Sequence, residues 1–572
     1  MKISEVEKIT GLSAKAIRLY EEKGLIRVHR KDNLYRDYDK ETVDKLMLIK
    51  TLREIGVSLS QLCLHFNGVI TFEELLSTRK AEMEKENIFH KEKYNKCIDF
   101  MKQFQMKHTE RNEATGVVRY SNSLLGLDIG STNISAVVVD FELGEVLETY
   151  VFPNASKTES ESDFAEFDAE WIAEKVRRVV DYLVKVYPNI KAIGVTGQMH
   201  GMVYVSADGK AVSSLYSWQD GRGNRKYSET KTYCDEIADR TGYPCSSGYA
   251  FATLFYNKIN HIEPKKAKSF CSIMDYVVMV LTDNKTPLMH ISNAASFGLY
   301  DMKNMCFDLK AVKKLDLSHF KLPQIAKNAE IAGYYKNIPI CVAIGDNQAS
   351  VFGSVKNEKT SVLVNFGTGS QVSVITDELR DTDRQLESRP YLFGKYLLCG
   401  SALCGGKAYA ILEKFFADYA ETLTQKRNAQ YEIMNKLAQE AYLNTKPLSV
   451  STLFCGTRQN PSLKGQISGV DDVNFTPGNL ILGVLQGMAN ELKAYFDCME
   501  CNDVTRLVAS GNAVKKNPIL QNLLKDTFGI QISLTNNNEE AATGSALYAG
   551  VCVSAIGLSK AKEIIKEEDG KL

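Results

Sequence analysis

Two different spacings of apolar and polar positions divide the chain. Over the first hundred residues the pattern is helical and short. "SEVEKIT" and "SAKAIRLYEE" repeat apolar side chains at threes and fours, with Ser4 and Glu7 reading as a capping box, Gly11 as the close of the first helix, Ser13 as the cap of the second and Gly24 as its end. Two helices joined by a Gly-containing turn predict a helix-turn-helix, whose second helix would enter the major groove and present Lys15 and Arg18. "RVHRKDNLYRDY" then reads as a basic, strand-like wing, and Leu46, Ile49 and Leu52 mark the next helix. From Phe72 to Gln105, Leu76, Met83, His90, Tyr94, Cys97, Met101 and Phe104 are separated by threes, fours and sevens, which predicts a helix pairing with a second copy of itself. "TERNEATGVVRYSNS", residues 109–123, has no apolar period and reads as a linker.

At Leu124 the pattern changes. Strand-like runs ("LLGLDIGS", "ISAVVVD", "IKAIGVTG") alternate with helical ones ("WIAEKVRRVVDYLVKV"), predicting an α/β fold. In "GLDIGSTNISAVVVD" an apolar strand ends at Asp128 and a second strand follows at once. The small turn residues Gly130, Ser131, Thr132 and Asn133 would let backbone N–H groups approach phosphate, while Asp128 would orient a hydrated Mg2+. The same device recurs in "TSVLVNFGTGSQVSVIT" with Gly367, Thr368, Gly369 and Ser370, so a duplicated fold closing on one nucleotide is expected. A third element, "RLVASGNAVKKNPILQNLLKDTFG", sets Gly511, Asn512 and Asn517 at a strand-to-helix junction suited to phosphate or ribose.

Composition narrows this picture by exclusion. A chain of 572 residues, 44% hydrophobic and 24% charged, is globular and long enough for several domains. The 70 basic and 70 acidic residues cancel, so overall charge does not point to a polyanionic partner; only the extreme N-terminus, nine Lys/Arg against five Asp/Glu through Arg36, is mildly basic. No apolar run of transmembrane length and no signal-peptide core appears, so a cytoplasmic protein without a membrane partner is expected. The 13 cysteines are scattered and odd in number, which favours thiols over disulfides; the CxxC pair Cys498 and Cys501 reads as helix packing, with a metal or redox role as the alternative.

Two resemblances sharpen the reading. The order "IRLYEEKGLI", "YRDY", "IKTLREIGVSLSQL" resembles the MerR family of transcription regulators over residues 1–70, followed by a dimerisation helix at 71–108. That resemblance implies a double-stranded DNA operator, a homodimer, and DNA contacts from Arg18, Tyr20, Arg36 and Tyr38; Leu34 stands where many members have Gly in the wing turn. The two hairpins and the third element, in this order, resemble the actin-like ATPase superfamily. Within it, "VTGQMHGMVYV", "SWQDGRGN", "VAIGDNQASVFGS" and "EEAATGSALYAG" resemble the FGGY carbohydrate kinases over residues 124–556, with "GYAFATLFY" looking most like the sedoheptulokinase branch.

The fold expected is therefore a helical winged helix-turn-helix with its dimerisation helix, then an α/β actin-like (ribonuclease H-like) two-lobed ATPase fold. Its sugar-side lobe would span 124–355, its nucleotide-side lobe 356–556, and a tail 557–572. Phosphoryl transfer to a sugar hydroxyl needs a carboxylate to take the proton, and Asp346, after the strand "IPICVAI" and Gly345, is the candidate, a helix N-cap being the plainer reading. Gln198, Met199, His200, Trp218, Asp220, Arg222, Tyr249 and Asn347 are the candidate sugar contacts, with core packing the plainer role for His200 and Trp218. Ser135 stands where many family members have Lys, and Asn133 where small hydroxyl residues are usual. The resemblance implies an ATP- and Mg2+-dependent kinase acting on a ketose, sedoheptulose first, fused to a DNA-binding module. A sugar sensor without turnover, or a xylulose, ribulose or glycerol kinase that uses its N-terminus to dimerise, are the alternatives.

Overall fold

The computed structural model describes residues 1–30, 36–86, 119–326, 329–381, 385–444, 448–457, 460, 462–536 and 539–569. Leu34, the predicted pairing helix beyond Glu86 and the predicted linker up to residue 118 lie outside these residues.

The N-terminal head packs α1 (Ile3–Thr10), α2 (Ala14–Glu22), α3 (Lys40–Glu54), α4 (Leu59–Phe66) and α5 (Phe72–Glu86), with a two-stranded wing of β1 (His29–Arg30) antiparallel to β2 (Arg36–Asp37). Capping departs from expectation at the first helix. It starts at Ile3, the Glu5 carboxylate accepts from Lys2 N at 2.8 Å, and Glu7 instead accepts from Ala14 N at 2.6 Å, tying α1 to the start of α2. Ser13 caps α2 and Gly11 closes α1 with φ 66°, as predicted.

The first lobe is built on β3 (Ser123–Ile129), β4 (Asn133–Asp140), β5 (Glu145–Pro153), α6 (Ala169–Val186) and β6 (Ile190–Gly197). Further along come α7 (Ala250–Ile259), α8 (Ile291–Ala295), β7 (Ile331–Tyr335), β8 (Ile338–Cys341), β9 (Ile344–Gly345) and α9 (Asp346–Ser354). Its sheet runs β7-β8-β6-β3-β4-β5, with β9 also pairing β6. In the second lobe, β10 (Ser361–Phe366), β11 (Ser370–Thr376), β12 (Glu387–Pro390), β13 (Tyr396–Ala402), α10 (Gly406–Thr424), α11 (Pro477–Cys498) and β14 (Arg506–Ser510) lead on. They are followed by α12 (Pro518–Phe528), β15 (Gln531–Thr535), α13 (Glu540–Cys552), α14 (Leu558–Ile564) and β16 (Glu567–Asp569). That sheet runs β12-β13-β11-β10-β14-β15-β16.

The duplication is visible in the registers. In one lobe β3 pairs antiparallel with β4 and parallel with β6; in the other β10 pairs antiparallel with β11 and parallel with β14. Asp128 and Asn365 hold the same position, two residues before the first glycine of each turn.

The expected boundaries shift in three places. Residues 119–123 are structure rather than linker: Arg119 N bonds Val186 O, the Arg119 side chain pairs with Glu148, and Ser123 opens β3. Within the expected tail, 557–572, the described residues supply α14 and the edge strand β16, which pairs with β15. Helix α13 belongs by sequence to the second lobe but lies against β3 and β6 of the first. That approach needs glycine: a Cβ on Gly544 would sit 1.9 Å from Ala349 O of α9, and one on Gly353 2.2 Å from Glu540 O.

The head sits directly on the first lobe, and their buried apolar side chains form one continuous core. Lys23, at the end of α2, pairs with Glu148 of β5 at 2.5 Å, and Arg119 reaches the same carboxylate at 2.7 Å. Lys175 of α6 is buried; it donates to Val69 O at 2.9 Å and pairs with Glu74 of α5 at 2.7 Å.

Candidate active site

Between the lobes lies a cavity of about 320 Å³ lined by Asp128, Asp346, Asn347, Ser350, Asn365, Gln371, Ser373, Glu539 and Glu540 among others. The first lobe contributes Asp128 of β3 and the start of α9, and the second contributes Leu363 and Asn365 of β10 with Gln371 and Ser373 of β11, while neither hairpin turn lines the cavity.

Asp346 is the first residue of α9, directly after β9, so strand and helix together fix its carboxyl at the cavity wall. Its Oδ1 accepts from Asn347 N at 2.7 Å. Burial raises its pKa to about 6, against the opposing pull of that N–H and the Arg389 guanidinium. A carboxyl poised there is a proton acceptor near neutral pH.

Asp128 is the penultimate residue of β3, and its Oδ1 is buried with no hydrogen-bond partner. Burial, then the charges of Asp346 and Glu539, push its pKa up to about 8. Glu539 is also raised, by burial first, and accepts from Ser135 Oγ at 2.6 Å. Ser135, where the resemblance led one to look for Lys, thus joins the hairpin of the first lobe to the residue before α13. All three carboxyls are raised by burial first, and Asp128 is raised further by the charges of Asp346 and Glu539, which makes this a site suited to positive charge. Among the described residues no three His, Cys, Asp or Glu side chains stand close enough to chelate a metal by themselves. Mg2+ keeps several waters and is bound through one or two carboxylates plus phosphate oxygens, and the buried, unpartnered Asp128 Oδ1 is such a carboxylate oxygen. The residues fit it: Asp128 would hold its water shell, and the ion would spread the charge of the transferred phosphoryl group.

The nucleotide candidates divide. Gly130, Ser131 and Thr132 form the turn of the first hairpin; Gly130 O accepts from Asn154 Nδ2 at 2.9 Å, Thr132 O accepts from Asn154 N at 2.8 Å, and Asn133 begins β4. Gly367 and Thr368 are exposed at the second turn, where Gly406 N and Lys407 N bond their carbonyls at 3.0 Å, followed by Gly369 and the buried Ser370. Gly511 adopts φ 96°, with Phe366 O 2.3 Å from any added Cβ, so only glycine lets β14 turn beside β10. Asn512 begins the short helix that follows. Asn517 is a correction: it is buried, caps α12 by accepting from Leu520 N at 3.0 Å, and donates to Asn435, so its side chain is spent on structure.

The sugar candidates divide as well. His200, in a left-handed conformation (φ 72°), stacks flat on Tyr249 with ring centroids 4.7 Å apart. Its Nδ1 lies 2.8 Å from Ser296 O; a carbonyl only accepts, so Nδ1 carries a proton. Gln198 is buried with both amide atoms lacking a partner in the protein, and Met199 packs beside it in the core. Trp218 is 46% exposed, which rules out the core-packing role. Asn347 bridges Gln371 at 2.6 Å and lies on the cavity.

Asp220 and Arg222 are corrected. Both are buried, paired at 2.8 Å, with Arg222 also bonded to Glu166 and stacked over Phe164 at 3.9 Å. Asp220 further accepts from Ala165 N and Arg222 N, at 3.1 and 3.0 Å. The Asp220 oxygens are answered within the protein and the pair braces the loop carrying Trp218, while Arg222 Nε is buried without a partner.

In the head, Lys15 and Arg18 are exposed on α2 as expected. Tyr20 and Tyr38 are not: both are buried in the core, and Tyr38 Oη has no partner there, so they pack the head rather than grip a duplex. Arg36 pairs with Glu21 at 2.6 Å, linking the wing to α2. Cys498 is exposed and Cys501 lies 3.9 Å from Arg380 Nη1; no metal cluster involves them among the described residues.

Sequence reasoning missed Glu539, Asn365 and Arg389. The first two lay inside motifs already singled out, "EEAATG" and "VNFGTG"; Arg389, paired with Glu387 at 2.5 Å, had no local signal.

Comparison with known proteins agrees with this geometry. Residues 123–353 match the N-terminal domain, and 362–553 the C-terminal domain, of the FGGY family of carbohydrate kinases; residues 1–63 match the MerR HTH family regulatory protein. A sedoheptulokinase of Mus musculus is 26% identical over 471 residues, 74% of this chain and 96% of that protein. A glycerol kinase of Streptococcus pneumoniae is 26% identical over 466 residues, 75% of this chain and 89% of its own length. Among solved structures, a xylulose kinase from Rhodospirillum rubrum superposes with TM-score 0.67 at 18% identity, covering 78% of this chain and 94% of its own, and so shares the fold. With both FGGY domains matched in order around the cleft described above, the chain belongs to the FGGY family of carbohydrate kinases and carries a MerR-type helix-turn-helix region at its N-terminus.

Proposed function

We propose that the protein is an ATP- and Mg2+-dependent ketose kinase, with sedoheptulose as its preferred acceptor, joined to a DNA-reading head whose operator affinity responds to what the kinase cleft holds. The observation that carries the kinase reading is the carboxyl pair: Asp346, with a pKa near 6, is set to take the hydroxyl proton, and Asp128, unpaired and raised to about 8, is set to face metal and phosphate. Proton removal by Asp346 and in-line placement of the hydroxyl are what this chain supplies; closure of the lobes excludes water from the transfer. His200, Tyr249, Gln198 and Trp218 would form the wall on which a polyhydroxylated chain lies.

The regulatory reading rests on the docking of the head. Lys23 and Glu148 fasten the end of α2 to β5, and the residue after β5, Asn154, holds the Gly130 and Thr132 carbonyls of the phosphate-facing turn. One strand therefore touches both modules. A homodimer through residues 71–108 would present two heads to two half-sites in the cytoplasm. The test has two parts: identify the product formed from sedoheptulose, xylulose, ribulose and glycerol with Mg·ATP, and titrate an operator fragment with and without the preferred sugar and nucleotide. A sugar phosphate and a shifted operator affinity support the reading. Operator affinity unchanged by any ligand removes the coupling.

A further inference from the structure

The short helix α8 and its flanks, "HISNAAS" from His290 to Ser296, lie behind the cleft and touch both halves of the proposed chemistry. At one end Ser296 Oγ accepts from His200 N at 3.2 Å, and Ser296 O accepts from His200 Nδ1 at 2.8 Å. His200 is a non-glycine residue at φ 72°, a conformation that persists only when its surroundings hold it. At the other end Ser292 Oγ accepts from Gly345 N at 3.1 Å, one residue before Asp346, and Asn293 Nδ2 donates to Ala343 O at 3.0 Å. His290 orients that hydroxyl. Its Nδ1 accepts from Ser292 N at 3.2 Å and lies 2.8 Å from Ser292 Oγ, which therefore donates to it and keeps its lone pairs for Gly345. Burial leaves this imidazole neutral, as that arrangement needs. Ser296 Oγ itself donates to Asn293 O at 2.7 Å, so the two ends are joined through one turn of helix.

We propose that Ser292 and Ser296 are positioning residues: through this single turn they set the His200 imidazole and the Asp346 carboxyl at a fixed separation, Ser296 orienting the group that meets the sugar and Ser292 the group that takes its proton. The proposal rests on the kinase reading above. Its consequence is a division of labour between two hydroxyls only four residues apart. Loss of the Ser296 hydroxyl relaxes the strained His200 turn and weakens sugar binding. Loss of the Ser292 hydroxyl leaves the sugar wall intact and loosens the strand that aims Asp346.

The experiment uses the full chain and its Ser292→Ala and Ser296→Ala forms, with Ser292→Thr and Ser296→Thr as hydroxyl-retaining controls. Sedoheptulose Kd is read by calorimetry, kcat and both KM values by ADP formation. Ser296→Ala raises sugar Kd about tenfold, the worth of one lost hydrogen bond, and leaves the ATP KM unchanged. Ser292→Ala lowers kcat about tenfold at unchanged sugar Kd, because a small displacement of a reacting group is costly in rate. The threonine forms recover most of each loss. Equal changes in Kd and kcat in both alanine forms, or no change in either, would overturn the proposal. Absence of turnover in the unaltered chain would remove the kinase reading and the Ser292 arm with it, whereas an unaltered sugar Kd in Ser296→Ala defeats the Ser296 arm whether or not turnover occurs.

Discussion

The two hairpins on either side of the cleft share a backbone plan and differ in the side chain set before the turn. β3-β4 and β10-β11 have the same antiparallel pairing and the same parallel third strand, yet the position before the turn is Asp128 in one and Asn365 in the other. Asn365 donates to Ser510 Oγ at 2.8 Å and is settled within its own lobe. Asp128 Oδ1 is buried and unanswered, and two further carboxyls raise its pKa. A repeat that only had to fold would not leave one copy with a buried carboxyl that lacks a partner, since burying an unanswered polar group is costly. The duplication supplies the frame, and the divergence assigns the metal side to one lobe.

Converting one hairpin into the other should produce the largest effect. Asp128→Asn should cut kcat about a thousandfold, read as ADP formation at saturating sugar and Mg·ATP, because a charged group facing metal and phosphate contributes on that scale. It should also stabilise the protein at pH 8. The folded-state pKa of Asp128 lies near 8, far above its unfolded value, so the folded form binds an extra proton between about pH 4 and 8 and wild-type stability falls as pH rises through that window. The asparagine form lacks that slope, and its melting temperature at pH 8 should exceed wild type by several degrees.

A second contrast, between buried acids that are answered and those that are not, predicts the next effect. Asp220 has Arg222 beside it; Asp128 has no such partner. Arg222→Met should destabilise by about 3–5 kcal/mol in chemical denaturation, as expected for stranding a buried carboxylate, while kcat per folded molecule changes little. The reverse exchange at the cleft, Asn365→Asp, should raise the ATP KM about tenfold through repulsion of phosphate, with kcat less affected.

The pH profile follows from Asp346. Its carboxyl must be ionised to accept a proton, so kcat/KM should be sustained above about pH 6 and fall as pH drops through that value. The smallest effect belongs to the head. Glu148→Gln should weaken its docking by about 1 kcal/mol, seen as faster amide exchange in α2 with kinase rates unchanged.

Much of this was legible in the sequence because it is local. Strand, turn and glycine fall within a dozen residues at each hairpin, with Asp128 before the first turn, and Asp346 follows its strand directly, so the fold and the place of both carboxyls were readable there. The errors are those of groups that act across distance. Tyr20 and Tyr38 were assigned to DNA, but the core of a small head takes its large rings; Asp220 and Arg222 were assigned to sugar, but Glu166 and Phe164 had already claimed the guanidinium. Residues 557–569 looked like a tail because their edge strand needs β15 to exist as a strand at all. The direct seat of the head on β5 and α6 left no mark in the linker sequence, since Glu148 and Lys175 carry that information from 25 and more residues downstream of it.

The claim on which the account turns is that Asp346 takes the proton of a sugar hydroxyl as phosphate is transferred. The direct measurement is the initial rate of ADP formation by the full chain with Mg·ATP and sedoheptulose, beside Asp346→Asn matched in sugar and nucleotide Kd. Sugar-dependent turnover in the former, reduced at least a thousandfold in the latter with both Kd values unchanged, is the predicted result. Turnover retained by Asp346→Asn would contradict it.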